Sequence, residues 1–93
     1  MYAKRVDANH VVIREAFRDM GASVFDSSSI GRGFPDLVVG INNRTALVEI
    51  KSHSKARFTE DQLGFMQNWK GGTVYRIEDV DQVETLIKLM KKK

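Results

Sequence analysis

Val12, Ile13, Ala16, Phe17 and Met20 recur at three- and four-residue intervals, the stripe of a helix that Asp7 or Asn9 caps and that Gly21 ends just after Met20. The period then shortens to that of strands. Residues 22–26 read as a short strand, residues 27–33 as a loop of small residues, and residues 36–41 and 45–52 as two apolar strands in succession. Thr59 is placed to cap a second helix whose first turn carries Glu60 and Asp61; Leu63, Met66, Gln67 and Trp69 line its inner side, and Gly71-Gly72 ends it. Residues 73–77 are another β-rich run. Because a helix intervenes, that run is expected to join the sheet as a parallel neighbour through a right-handed crossover. Asp79 or Asp81 starts a last helix on Val83, Leu86, Ile87 and Met90. The predicted architecture is α/β, a mixed sheet flanked by helices in the order αβββαβα, with residues 1–93 forming one domain.

Between the two apolar strands stands Ile41-Asn42-Asn43-Arg44, and Asn-Asn tolerates the positive φ angles of a two-residue hairpin turn. With Ile41 opposite Arg44, counting back along both strands puts Asp36 opposite Glu49. Directly opposed residues have Cβ atoms about 4.5–5.5 Å apart, so two carboxylates are forced together beside Val and Leu side chains that exclude water. Such a pair is unfavourable unless a cation or a proton lies between its members. Lys51 shares the face of Glu49, while Val48 and Ile50 point to the other face and into the core. Two acids for a metal and an amine for a water or a phosphate make the layout of a metal-dependent nuclease. The plainer alternative has Asp36 capping a turn after Pro35, with Glu49 and Lys51 as a surface ion pair of little energetic value.

Bulk properties narrow the setting. Ninety-three residues make one core, short of area, which a partner subunit would extend. The absence of cysteine excludes disulfides, thiolate metal sites and cysteine nucleophiles. No apolar run approaches the roughly 18 residues of a membrane span, and Met1-Tyr2-Ala3-Lys4-Arg5 lacks the apolar segment of a secretion signal, so a cytoplasmic protein without a membrane partner is expected. A net charge of +3 suits a phosphate-rich partner. Its placement says more than its size. Arg32 stands between Gly31 and Gly33 just before the acidic strand pair, and Lys51, His53, Lys55 and Arg57 follow one another just after it, so both approaches to the carboxylates are basic and suited to drawing in a DNA backbone. Lys91-Lys92-Lys93 reads as a solubilising tail. Trp69 and Tyr75 are read as core aromatics, with stacking on unpaired bases as the alternative.

Pro35-Asp36 followed by Glu49-Ile50-Lys51 resembles the PD-(D/E)XK nuclease signature. Gly33-Phe34-Pro35-Asp36-Leu37, Val48-Glu49-Ile50-Lys51 and Thr59-Glu60-Asp61-Gln62 together resemble the virus-type replication-repair nuclease (VRR-NUC) family, whose small stand-alone members are close to archaeal Holliday-junction resolvases. The resemblance covers about residues 7–78. It implies the restriction-endonuclease-like core and a Mg2+- or Mn2+-dependent phosphodiesterase of DNA repair, with Asp36, Glu49 and the Ile50 carbonyl on the metal, Lys51 at the attacking water, and Gln62 supporting the site. One position departs from the pattern. Related resolvases place an acid near the start of the first helix, where this chain has His10: a nitrogen ligand, a phosphate contact, or a half-buried helix-start histidine. Glu15, the nearest acid, falls almost opposite the apolar stripe.

The function expected on these grounds is a DNA endonuclease selective for branched substrates such as four-way junctions, reading shape and backbone rather than bases, and working as a C2 homodimer. The alternatives are a nickase or exonuclease with the same chemistry, and a non-catalytic DNA-binding domain that keeps the fold.

Overall fold

The structure, a computed structural model, describes residues 8–93. Asn42 and Asn43 both adopt left-handed backbone, φ 54° and 60°, which is the primed turn whose twist suits a hairpin. They join Leu37–Ile41 to Arg44–Ile50, and the register is the predicted one: Ile41 faces Arg44 and, at the far end, Leu37 faces Val48. Ser23–Asp26 pairs antiparallel with the first of these strands, and Val74–Ile77 pairs parallel with the second. In chain order these are β1 (Ser23–Asp26), β2 (Leu37–Ile41), β3 (Arg44–Ile50) and β4 (Val74–Ile77), and the sheet runs in that same order. With helices α1 (Ala8–Asp19), α2 (Glu60–Asn68) and α3 (Val80–Lys91), the sequence of elements is αβββαβα, the mixed α/β arrangement expected.

One face of the sheet carries the core. Leu37 and Val39 of β2 and Val48 of β3 pack with Ile13 and Phe17 of α1 and Val83, Leu86, Ile87 and Met90 of α3, all buried. Val12, expected in the α1 stripe, is instead 52% exposed, because the stripe narrows to Ile13 and Phe17 where the helix meets the sheet. Gly21 ends α1 at φ 96°, with Gly21 N–H donating to the Arg18 carbonyl and Ala22 N–H to that of Phe17, the paired bonds of a Schellman stop. Of the two predicted caps, Asp7 lies outside the described residues. Asn9 lies within the helix, where its amide donates to the carbonyls of Lys51 (2.9 Å) and Glu78 (3.1 Å) and so pins the start of α1 to the ends of β3 and β4. Asp79, rather than Asp81, caps α3 by accepting from Gln82 N–H. The hairpin turn caps the other end of that helix: Asn42 and Arg44 both donate to the Met90 carbonyl. Among the described residues no helix is long and apolar enough to cross a membrane.

The second face is different. It presents a transverse apolar row, Phe25, Val38, Leu47 and Val74, aligned by the strand register, and beside it the row that contains Glu49 and Arg76. Among the described helices α2 approaches this face, through Gln62, and none of its residues is fully buried. Leu63, Gln67 and Trp69, expected on an inner side, are exposed, Leu63 by 44% and Trp69 by 41%, while Met66 is half-buried. The helix meets the sheet at charged and amide groups, Gln62 against Glu49 and Lys51, and its apolar contact is with the loop before β2, where Phe65 packs on Phe34.

Candidate active site

Asp36 sits one residue ahead of β2, where Ser27 N–H donates to its carbonyl and Ser27 Oγ to the carbonyl of Pro35. These bonds fix the backbone on both sides of the carboxyl group. Asp36 Oδ2 accepts from Ile50 N–H at 2.9 Å, so the carboxylate is aimed at β3. In an extended strand the N–H and C=O of one residue point the same way, which aims the Ile50 carbonyl toward Asp36 as well. Glu49, one residue earlier on β3, is 4% exposed and within hydrogen-bonding reach of the Asp36 carboxyl group. Burial pushes the Glu49 carboxyl up to about 8, the Asp36 charge adds to the effect, and Lys51 opposes it without cancelling it.

Lys51 and Gln62 complete the cluster. Lys51 Nζ lies 3.6 Å from Glu49 Oε2, donates to Gln62 Oε1 at 2.8 Å, and stands over the Phe58 ring at 5.3 Å. Gln62 is the N3 residue of a capping box: Thr59 Oγ1 accepts from its backbone N–H, and its Oε1 accepts from the Thr59 N–H. With Oε1 committed to two donors, Nε2 is directed at Glu49 Oε2, 2.7 Å away. Local helix-start chemistry thus orients a group that acts across to β3.

The predicted residues divide into those that converge and those that do not. Asp36, Glu49, Lys51, Gln62 and the Ile50 backbone form one cluster. His10 is held elsewhere: it is buried at 6% exposure, and its Nε2 is 2.9 Å from Asp26 Oδ2. It is more deeply buried than the half-buried histidine of the helix-start reading, and Asp26 is the carboxylate it meets. Burial would raise the Asp26 carboxyl, but hydrogen bonds from Ser28, His10 and Arg14 outweigh it and hold the group well below the usual carboxylate range. Arg32 is exposed in left-handed backbone, φ 58°, and lines a groove along α2. His53, Lys55 and Arg57 are exposed in the loop after β3, with His53 Nδ1 accepting from Lys55 N–H.

Arg76 escaped the sequence reading. Opposite Glu49 in the parallel register, it donates to Glu78 and to the His53 carbonyl, and it flanks Phe58 on the same ring that Lys51 covers, so it fastens the basic loop beside the site. Its alternation with Tyr75 and Ile77 was visible, but its opposite number was not, because that depends on the crossover register.

The donor set can be tested against the implied metal. Asp36 Oδ1, Glu49 Oε1 and the Ile50 carbonyl are hard oxygen donors, and Mg2+ is commonly held by one or two carboxylates with water and phosphate completing its shell. Among the described residues no three His, Cys, Asp or Glu side chains converge, so the protein's share would be two carboxylates and a carbonyl. The chemistry fits a Mg2+ or Mn2+ ion, whose charge would favour ionisation of the buried Glu49 carboxyl beside Asp36. No protein-family model and no curated protein matches the chain. The VRR-NUC likeness rests on the motif residues.

Proposed function

We propose that the chain is a divalent-metal-dependent nuclease of the VRR-NUC type that hydrolyses DNA phosphodiester bonds. The observation that carries this reading is the buried Glu49 carboxyl within reach of Asp36 and bridged to Lys51 by the Gln62 amide. Asp36, Glu49 and the Ile50 carbonyl would hold Mg2+ or Mn2+, which would supply Lewis-acid polarisation and charge neutralisation at a phosphate. Lys51 Nζ orients the attacking water and offsets negative charge as it grows on the phosphoryl oxygens. Gln62 Nε2 keeps Glu49 in place, and its Oε1 keeps Lys51 in place. Arg32, Lys55 and Arg57 draw the backbone toward the acids.

The substrate class proposed is branched DNA such as four-way junctions, cut by a C2 homodimer that presents two sites in fixed relation. A cytoplasmic setting in DNA repair goes with that reading. The test is cleavage by purified protein of single-stranded, duplex, flap and four-way-junction DNA in Mg2+, Mn2+ or EDTA, with Glu49→Gln as control. Divalent-dependent cleavage lost in the control is expected; no cleavage of any substrate overturns the proposal.

The lack of a third converging acidic or histidine side chain among the described residues favours a second reading, a DNA-binding domain that retains the fold without hydrolysis. It predicts DNA retention in gel shifts with intact product in every metal.

A further inference from the structure

Phe34, Phe65 and Trp69 form an aromatic row on the outer side of the site. Phe34 meets Phe65 edge to face at 5.3 Å, and Phe65 stacks on Trp69 at 5.3 Å with their planes 20° apart. The row starts two residues before Asp36 and ends at the last cap of α2. It is joined to the cluster through the backbone. A Cβ on Gly33 would strike the Asp61 carbonyl, so the loop before the site lies directly against the first turn of α2, the turn that carries Gln62. Beside the row runs a groove of about 410 Å3 bordered by Arg32 and Asn68, with Glu60 and Asp61 at one end.

We propose that this groove seats an unpaired nucleobase against Trp69 when the same DNA strand presents a phosphate at the Asp36–Glu49 pair, which rests on the nuclease reading above. Trp69 is not the core aromatic expected from its sequence position: it is 41% exposed. Its indole is held in a fixed orientation by Phe65 and by the Gly71 backbone, which packs so close that a Cβ there would come within 2.6 Å of Cε2, and the part left exposed lines the groove. A fixed, half-open indole is a stacking platform for any base. Arg32 supplies a cation for the adjoining phosphate, whereas Glu60 and Asp61 repel one, so the groove suits the uncharged base. The Asn68 amide donates to the Gly64 carbonyl, leaving Oδ1 to accept from a base edge. From Gln62 to Trp69 the helix rises about 10 Å, at most about three nucleotide steps at the duplex rise of about 3.4 Å and fewer in a stretched unpaired strand. The base read is therefore within a few nucleotides of the phosphate cut, and the substrate class becomes DNA with an unpaired strand next to the cleavage point.

Trp69 is the only tryptophan, so its fluorescence reports the groove directly. In EDTA, where nothing is hydrolysed, the wild-type protein is titrated with a short oligothymidylate, with an abasic strand of equal length, and with a blunt duplex. Saturable quenching by the oligothymidylate alone is expected. Equal quenching by the abasic strand or the duplex, or none by any, overturns the inference, as does a fluorescence change produced by raising protein concentration alone, which would make the groove a contact between copies. Anisotropy of a labelled strand adds a second reading: Trp69→Leu should weaken unpaired-strand binding roughly tenfold and leave duplex binding unchanged, and Trp69→Phe should recover most of the loss. An equal loss on both DNAs would assign Trp69 a structural role only. Cleavage without selective quenching removes this inference and leaves the nuclease reading standing; selective quenching without cleavage does the reverse.

Discussion

Gln62 Nε2 donates to Glu49 Oε2 at 2.7 Å, while the other end of the same carboxamide accepts from Lys51 and from the Thr59 backbone. A helix cap and a candidate catalytic cluster share one side chain.

That sharing can be separated by substitution. Gln62→Glu keeps an acceptor for the capping box, which admits Glu or Gln at this position, but it removes the donor to Glu49 and adds a like charge. Cleavage should fall by about ten- to a hundredfold, the range for groups that orient metal ligands, while helix content by circular dichroism is kept. A wild-type rate in Gln62→Glu would show that the residue only caps α2.

Asp36→Ala and Glu49→Ala should each abolish divalent-dependent cleavage, and Lys51→Ala should lower it by at least about a hundredfold, all three remaining folded. None of these side chains belongs to the apolar core on the opposite face of the sheet. Single-turnover cleavage near the wild-type rate in any one of them would show the cluster to be misassigned.

Glu49 also gives the metal-free protein a pH signature. Its carboxyl lies well above the ordinary value of 4.5, at about 8, so the folded state holds a proton that the unfolded chain releases. The contribution to stability is fully present below about 4.5 and is lost as the pH rises through about 8. In EDTA, Tm should decline across that window in the wild type more than in Glu49→Gln, and the variant should be the more stable of the two at the alkaline end. Mg2+ or Mn2+ should raise the wild-type Tm most at high pH and scarcely affect the variant. Parallel pH curves for the two proteins would contradict the buried-acid assignment.

The turn sets the register, so inserting one glycine between Asn42 and Asn43 should reduce cleavage far more than solubility. A one-residue slip sends one of the two carboxylates to the opposite sheet face, and it also disturbs the Asn42 bond to the end of α3. Unchanged cleavage by the insertion variant would mean that strand packing, rather than the turn, fixes the pairing.

Replacing Lys55 and Arg57 by alanine should weaken binding to every DNA sequence alike. On duplex DNA the log–log salt dependence should flatten by roughly 0.9 for each phosphate that is no longer neutralised. Light scattering on the wild type should give the mass of a dimer. A strict monomer that cuts only linear ends would remove the junction-resolving proposal and leave the hydrolytic chemistry in place.

How far these features were legible in the sequence depended on how local their causes are. The β2–β3 register followed from two asparagines and a two-residue period, and with it the meeting of Asp36 and Glu49. The stop at Gly21 and the cap at Thr59 were equally local. The seat of α2 was not legible, because counting apolar positions assumes an apolar sheet surface to receive them, and here the helix meets Glu49 and Lys51 on the sheet and Phe34 on a loop. The same holds for Asn9: as a residue type it suits a cap, yet its amide is used to tie α1 to carbonyls 42 and 69 positions away. His10 and Asp26 lie on different elements, and nothing in either neighbourhood announces the other. Trp69 was misjudged for the reason α2 was.

No residue of α2 is fully buried, and the helix is held by the Phe65 contact with Phe34 and by a few polar bonds from Gln62 rather than by the core, so lifting it costs less than opening the core. On the proposed nuclease reading, a DNA backbone would gain room at the carboxylates through a local excursion of one helix, while the hydrophobic half of the molecule, between the sheet and α1 and α3, stays closed. Cohesion and access are assigned to opposite sides of a single four-stranded sheet.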